Sequence, residues 1–390
     1  MKNKKTIVMI FFIFLLMIMN AIAENLRGIL IPVFKNEFAV NDTSIGIMLF
    51  IGSLGYVVST FVGGFLCEKI GQKKVLVFGL IFMIMSLGIF FETHVFYGIL
   101  IAMFLMNVGL GLTSIAVNTL IPVLLLSFQA ILMNVTHFCY GLGASIGPKI
   151  GGDLIYKGMS WRYLYLFIAI LFLALLFVFI FVKIPSIHKV DKVNSEESKE
   201  VDKSLLFYYV IALGFYVCAE GGTGSWLVNY LKNVYKYNEA KSATFLAIFF
   251  GALTLGRLLG GLVVEKFGYV NTIIKSLLIA SVLYLAGLIL GGKYIYLVSV
   301  SGAFFAITYP TTILTVSKVF KEKTSFLTGI IVTVSTAIYM VMNVVIGKLN
   351  DTIGYETAFY IIPLCLLISI LFMSVIHVKT KHILVRRSEK

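Results

Sequence analysis

Two glutamates stand where a carboxylate is costly. Glu24 lies within the first long apolar run, and Glu220 lies within a later one, in YVCAEGGTGSW (216–226). The other acidic residues gather in the polar segments between runs. An ionised carboxylate at membrane depth costs about 2.5–3.5 kcal/mol or more, so such groups face cavities and carry function. The chemistry that placement fits is the uptake and release of a coupling proton. Arg27, three residues beyond Glu24, shares its helix face and partly neutralises it, and Lys149 is a further intramembrane cation. Glu24 is therefore read either as a coupling acid or as half of an ion pair with Arg27 or Lys149. Glu220 has no charged neighbour in its own stretch, which favours the coupling role for it.

These acids need elements that cross a membrane. Hydrophobic residues make up 59% of the 390 positions and charged residues 13%, a balance that cannot clothe a soluble domain. Runs of about 20 apolar residues, the length that spans a bilayer, fall at roughly 6–34, 44–67, 75–93, 96–127, 132–156, 161–183, 205–230, 241–264, 272–291, 294–319, 326–349 and 357–378. The expected class is an all-α membrane protein of twelve spans. With the N-terminus inside, Lys and Arg favour the cytoplasmic loops by more than two to one, so the net charge of +14 is a topology signal and both termini are expected in the cytoplasm of a bacterial-type cell (inner) membrane. Dispersed over loops, those charges offer nucleic acid no surface. Cys67, Cys139, Cys218 and Cys365 lie in or beside spans without metal-ligand spacing and are read as buried thiols. No cofactor motif and no metal cluster is found, and nothing points to an enzyme.

The segment PSIHKVDKVNSEESKEVDKS (185–204) is the longest polar stretch and is read as a cytoplasmic linker between residues 1–184 and 205–390, six spans on each side. The halves repeat. GGFLCEKIG (63–71) closes span two and GGLVVEKFG (260–268) closes span eight, 197 residues apart. Glu24 and Glu220 are 196 apart, in the same register. That register argues for keeping span one, although Ala21-Ile22-Ala23 also reads as a signal-peptidase site; a retained Ala-x-Ala run packs helices closely.

Gly64, Glu68, Lys69 and Gly71, followed by Gln72, Lys73 and Lys74, resemble the loop signature of the major facilitator superfamily, with Glu replacing the usual Asp. Gly261, Glu265, Lys266 and Gly268 repeat it without the trailing cations. The resemblance covers the whole chain and implies two pseudo-symmetric six-helix bundles rocking about a midplane site. It also implies a conformational latch: Glu68 facing the positive start of span eleven and Glu265 that of span five, joined when the cytoplasmic side closes. Arg257, near the end of span eight, is grouped with that latch.

Four further stretches resemble the fucose/glucose proton symporter branch: NLRGILIPVF (25–34), NVTHFCYGLGASIGP (134–148), AEGGTGSWLVNYL (219–231) and GALTLGRLLGG (251–261). Two departures weaken it. Gly28 stands where that family's first helix carries an acid, and Ser114, four before Asn118, stands where its fourth carries a glutamate; Glu24, one turn away, is the candidate substitute. GASIGPKIGG (143–152) matches instead a motif associated with proton-coupled exporters, or else serves helix packing. Asn25, Asn118, Asn134, His137, Tyr140, Trp226, Asn229 and Tyr309 are candidate cavity residues for a polar solute. The expected function is alternating-access transport by a monomer, as H+-coupled symport of a small polar solute such as a sugar, with Na+ as the other coupling ion. Proton-coupled export of a drug or metabolite is the alternative.

Overall fold

With no water in hydrocarbon, a spanning backbone must satisfy its own hydrogen bonds, and a helix is the way an apolar run of this length does so. The computed structural model describes residues 2–124, 129–181, 202–320 and 324–385, and contains no strand among them. The first six helices are α1 (Lys2–Phe38), α2 (Asp42–Ile70), α3 (Gln72–Glu92), α4 (Phe96–Leu124), α5 (Gln129–Tyr156) and α6 (Trp161–Phe181). Then follow α7 (Lys203–Tyr235), α8 (Glu239–Phe267), α9 (Tyr269–Leu290), a broken α10 (Gly292–Val319), α11 (Thr324–Ile353) and α12, a turn at Tyr355–Ala358 leading into Ile361–Val385. Most of the expected linker lies outside the described residues.

Among the described residues, eleven of these segments are long and apolar enough to cross a membrane. The twelfth expected span, α5, is long enough but diluted by glycines, His137, Pro148 and Lys149. Its position explains the composition: it lies between α1 and α8. Span ten reads in the sequence as a single apolar run over roughly 294–319. In the structure it breaks at Ser301 and again at Ala306–Ile307. Pro310 has no N–H to give the Ala306 carbonyl four residues back, which accounts for the second break.

The repeat is written into the helix ends. Asn41 and Asn238, 197 apart, cap α2 and α8 by accepting from the amides of Ser44 and Lys241. Gly71 and Gly268, at the same spacing, end those helices with φ of 87° and 83°, a conformation that favours glycine. In the first bundle α2 and α3 pack on α4, α3 on α6 and α1 on α5; in the second α7 packs on α11 and α12, and α10 on α8 and α9. The bundles meet through α5 with α8, α2 with α11 and α1 with α7.

Glycine sets how close α5 comes to its neighbours. A Cβ added at Gly143 would lie 2.2 Å from the Ile18 carbonyl oxygen, and one at Gly152 would lie 2.3 Å from the Cβ of Ala243. Helix packing therefore accounts for GASIGPKIGG. Gly143→Val is expected to destabilise the protein by about 1–3 kcal/mol, read as a lower unfolding midpoint in detergent. Gly64→Ala, whose new Cβ meets open space, is the neutral control.

Candidate functional site: a central cavity with two carboxylate–arginine pairs

A cavity of about 910 Å³ lies between the bundles. Helix α1 turns Asn20, Glu24 and Arg27 toward it, residues spaced to share one helix face. Glu24 is held on both oxygens: Arg27 Nη2 lies 3.3 Å from Oε1, and the Tyr140 hydroxyl of α5 donates to Oε2. In the other bundle Arg257 of α8 donates from Nη2 to Glu220 Oε1 at 3.0 Å. Each glutamate side chain is 21% exposed. The cavity thus holds two acids and two arginines paired within their own bundles, with a third acid, Glu265, at one end.

Asn25, His137 and Tyr309 also line the cavity, with Asn25 donating to the Ala21 carbonyl. Several expectations are corrected. Arg257, grouped from sequence with the latch, lines this cavity and pairs with Glu220 of the facing helix. Lys149 pairs with Asp153, one turn along at 2.6 Å, and is not among the lining residues. Trp226 is buried and donates to Asn343 of α11, which leaves no ring face for a solute. Asn118 is half-buried and off the cavity, its Oδ1 unpartnered among the described residues. The side chain of Asn134 lies outside the described residues.

One end of the cavity reaches Gly261, Glu265 and Tyr269, where α8 turns into α9. Here the two halves of the latch signature stand apart. Added Cβ atoms at Gly64 and Gly261 would meet nothing within 4 Å, and neither Glu68 nor Glu265 has an ion pair among the described residues. Lys69 and Lys266 lie instead over phenyl rings of their own helices, Phe65 and Phe267.

The other end is closed by a polar cluster. Asp42, 1% exposed, accepts from Asn229 at 2.7 Å, from the Tyr355 hydroxyl at 2.9 Å and from Lys35. Asn229 is therefore a closure residue rather than a cavity ligand. Asp351 of α11 accepts from the backbone amides of Asp42 and Thr43 at 3.0 and 2.7 Å, so an acid of one bundle caps the first turn of α2 in the other. Backbones touch alongside: Cβ atoms added at Gly46 and Gly347 would lie 2.5 Å from the Asn343 carbonyl oxygen and 2.3 Å from that of Asp42. Sequence reasoning missed this cluster, although one signal for it was present. Lys35 and Asp42 recur 197 residues later as Lys232 and Glu239, which also form an ion pair.

Two bundles joined by equivalent helices around one cavity match a known architecture, and the family model named Major Facilitator Superfamily matches residues 13–338. The chain belongs to the major facilitator superfamily. This is a family of transporters, and several of the curated relatives are named as such. Among those relatives is a glucose/galactose transporter of Brucella abortus, 25% identical over 361 residues that cover 87% of each chain. Among solved structures, the fucose:proton symporter FucP, known from E. coli, aligns in its outward conformation with a TM-score of 0.66 at 21% identity, over 95% of this chain and 99% of that one. A bacterial homologue of the lysosomal transporter Spinster, inward-facing and occupied, aligns at 0.75 with 12% identity, over 97% of each chain.

Proposed function

We propose that this member of the superfamily imports a neutral sugar together with protons by alternating access, its two bundles rocking about the central cavity. The carrying observation is the pair of carboxylate–arginine couples, one in each bundle, facing one polar cavity. Acids that can exchange a proton with water, within a space that also offers amide, imidazole and phenol groups, are the parts a proton-driven carrier of polyols needs. With both arginines already paired and Glu265 unpaired among the described residues, the lining favours a neutral solute over an anion. Sugar-transporting relatives support the same class.

In this reading the closed end is outside and the end bearing Glu265 faces the cytoplasm, in keeping with the lysine-rich loops there. The state described is inward-facing, which the higher alignment score with the inward-facing neighbour supports. The latch of Glu68 and Glu265 is then the device that closes the cytoplasmic end in the opposite state.

Purified protein in liposomes, given D-glucose, D-galactose, L-fucose and D-xylose in turn, is expected to accumulate at least one of them when a proton gradient is imposed. Collapse of that gradient abolishes accumulation, and counterflow gives the direction. Accumulation driven only by Na+, or no uptake of any of the four sugars, would sink the reading.

A further inference from the structure

We infer that the side-chain oxygens of Asn20 and Asn107 form the subsite that reads the solute: they accept hydrogen bonds from its hydroxyl groups and hold it against the first bundle. This rests on the proposed sugar reading and names the contacts that recognise the sugar.

Both residues line the cavity, Asn20 from α1 and Asn107 from α4, and they are 2% and 3% exposed. An amide side chain donates at one end and accepts at the other, and here the donor ends are spent on the protein itself. Asn107 Nδ2 donates to the Met103 carbonyl, one turn back, at 2.9 Å. Asn20 Nδ2 donates to the Thr113 hydroxyl at 3.0 Å, and that hydroxyl gives its own proton to the carbonyls of Gly109 and Leu110, at 2.9 and 3.0 Å. Neither amide can turn over. A reversed Asn107 would set its oxygen against a carbonyl oxygen, and a reversed Asn20 would set its oxygen against a hydroxyl whose proton is committed. Each reversal leaves two acceptors facing with no donor between them.

The oxygens are what remains. Among the described residues nothing donates to Oδ1 of either side chain, and Asn20 Oδ1 is buried without a partner. A buried acceptor with no donor raises the free energy of the protein, and a hydroxyl that reaches it restores the loss. The strongest donors nearby do not compete for the solute, because Arg27 and Arg257 are engaged by their glutamates.

The internal repeat sets this feature apart from the rest of the site. Glu24 recurs 196 residues later as Glu220, but the same step from Asn20 leads to Tyr216. The Tyr216 hydroxyl is taken up inside the second bundle, by the Phe305 carbonyl and the Glu220–Arg257 couple. No asparagine or glutamine of the second bundle is among the described residues that line the cavity. Charged pairs are thus common to both halves, while amide oxygens belong to the first. A neutral polyol, which brings O–H donors, fits that wall. A solute whose oxygens only accept does not.

The test begins with wild-type protein in liposomes taking up labelled D-glucose or D-galactose. Competitors are the same sugar with one hydroxyl at a time replaced by hydrogen or by fluorine. Fluorine cannot donate, so at the positions read by these oxygens the deoxy and fluoro analogues should compete equally poorly, about tenfold or more below the parent sugar. A fluoro analogue that competes like the parent wherever the deoxy analogue fails shows that the protein donates to the hydroxyl, and overturns the inference. So does a series in which no position matters.

The residues are then tested by Asn20→Leu and Asn107→Leu, which keep the volume and remove the oxygen. Each should weaken the parent sugar about tenfold and abolish the analogue penalty at one ring position, as two partners of a single contact do. A penalty that persists in either variant overturns the assignment of the pair. Without sugar, neither variant should unfold below wild type, since an unpaired buried acceptor has been removed. Should one do so, the analogue series on wild-type protein decides alone. Wild-type protein that takes up neither sugar sinks the sugar reading and this inference with it. Wild-type protein that transports but fails the analogue tests sinks this inference only.

Discussion

Asp42→Ala is expected to open the closed end of the molecule. Asp42 is buried among Lys35, Asn229 and Tyr355, of which Asn229 and Tyr355 come from the opposite bundle. Removing the carboxylate strands a largely buried Lys35 ammonium and takes away the acceptor of Asn229. Breaking one side of a buried ion pair costs about 3–5 kcal/mol. Part of that loss is common to both conformations, because Lys35 and Asp42 belong to the same bundle. The bonds that cross between bundles exist only when this end is shut, and they carry the difference, about 1–3 kcal/mol, or roughly 5–150-fold in the ratio of the two states. Val344 reports it. Its Cα would lie 2.9 Å from a Cβ on Gly46, so the closed interface holds its backbone against α2 and leaves the residue half-buried. In a Val344→Cys background, Asp42→Ala should raise the labelling rate by a membrane-impermeant maleimide applied from the closed side. The four native cysteines are buried and should stay silent. Glu239→Ala is the matched control, since the equivalent pair of Lys232 and Glu239 lies within one bundle. An unchanged rate in Asp42→Ala, or an equal rise in both variants, would show that the cluster does not hold the end shut.

The contrast between those two pairs shows what the sequence carries and what it does not. Spans, caps and the duplication are local or periodic, and one spacing of 196–197 residues relates Glu24 to Glu220, Asn41 to Asn238 and Gly71 to Gly268. A pattern of that kind can be read along the chain. Partners across helices cannot. Arg257 finds Glu220 because two helices of one bundle face each other, and no periodicity links positions 37 apart. Trp226 offered an aromatic face to a solute by residue type alone, but the fold spends its indole N–H on Asn343. Lys149 was read as an intramembrane cation that could pair with Glu24, but Asp153, one turn along the same helix, takes that pairing. Asp351 also reads as an ordinary loop acid, and its role appears only once α11 reaches the first turn of α2.

Gly28 yields the prediction that runs most against the family resemblance. The sugar symporters that this chain resembles carry an acid at that position, so Gly28→Asp looks like a restoration. Here it is expected to abolish uptake. A Cβ at Gly28 would lie 2.5 Å from the Gly224 carbonyl oxygen and 3.1 Å from Leu246 Cδ2. Gly28 and Gly224 are themselves 196 apart, the register of Glu24 and Glu220, so equivalent residues of the two bundles meet each other where α1 crosses α7. Contacts of that kind lie on the axis that relates the halves, and both halves must keep them small. A methyl group alone forces the helices apart. Aspartate adds a carboxylate pressed against a carbonyl oxygen, two acceptors with no donor between them. The crossing loosens, and with it the closure built on Asp42 and Asp351 at the same interface. Uptake in liposomes should fall roughly tenfold or more in Gly28→Asp, with Gly28→Ala between it and wild type, since overpacking a tight contact costs about 1–3 kcal/mol. Gly88→Ala, whose new Cβ meets open space and which has no part in the latch, should transport normally. Wild-type uptake by Gly28→Asp would mean that α1 and α7 separate freely at this point, and that the acid lost from position 28 has no steric reason to be absent.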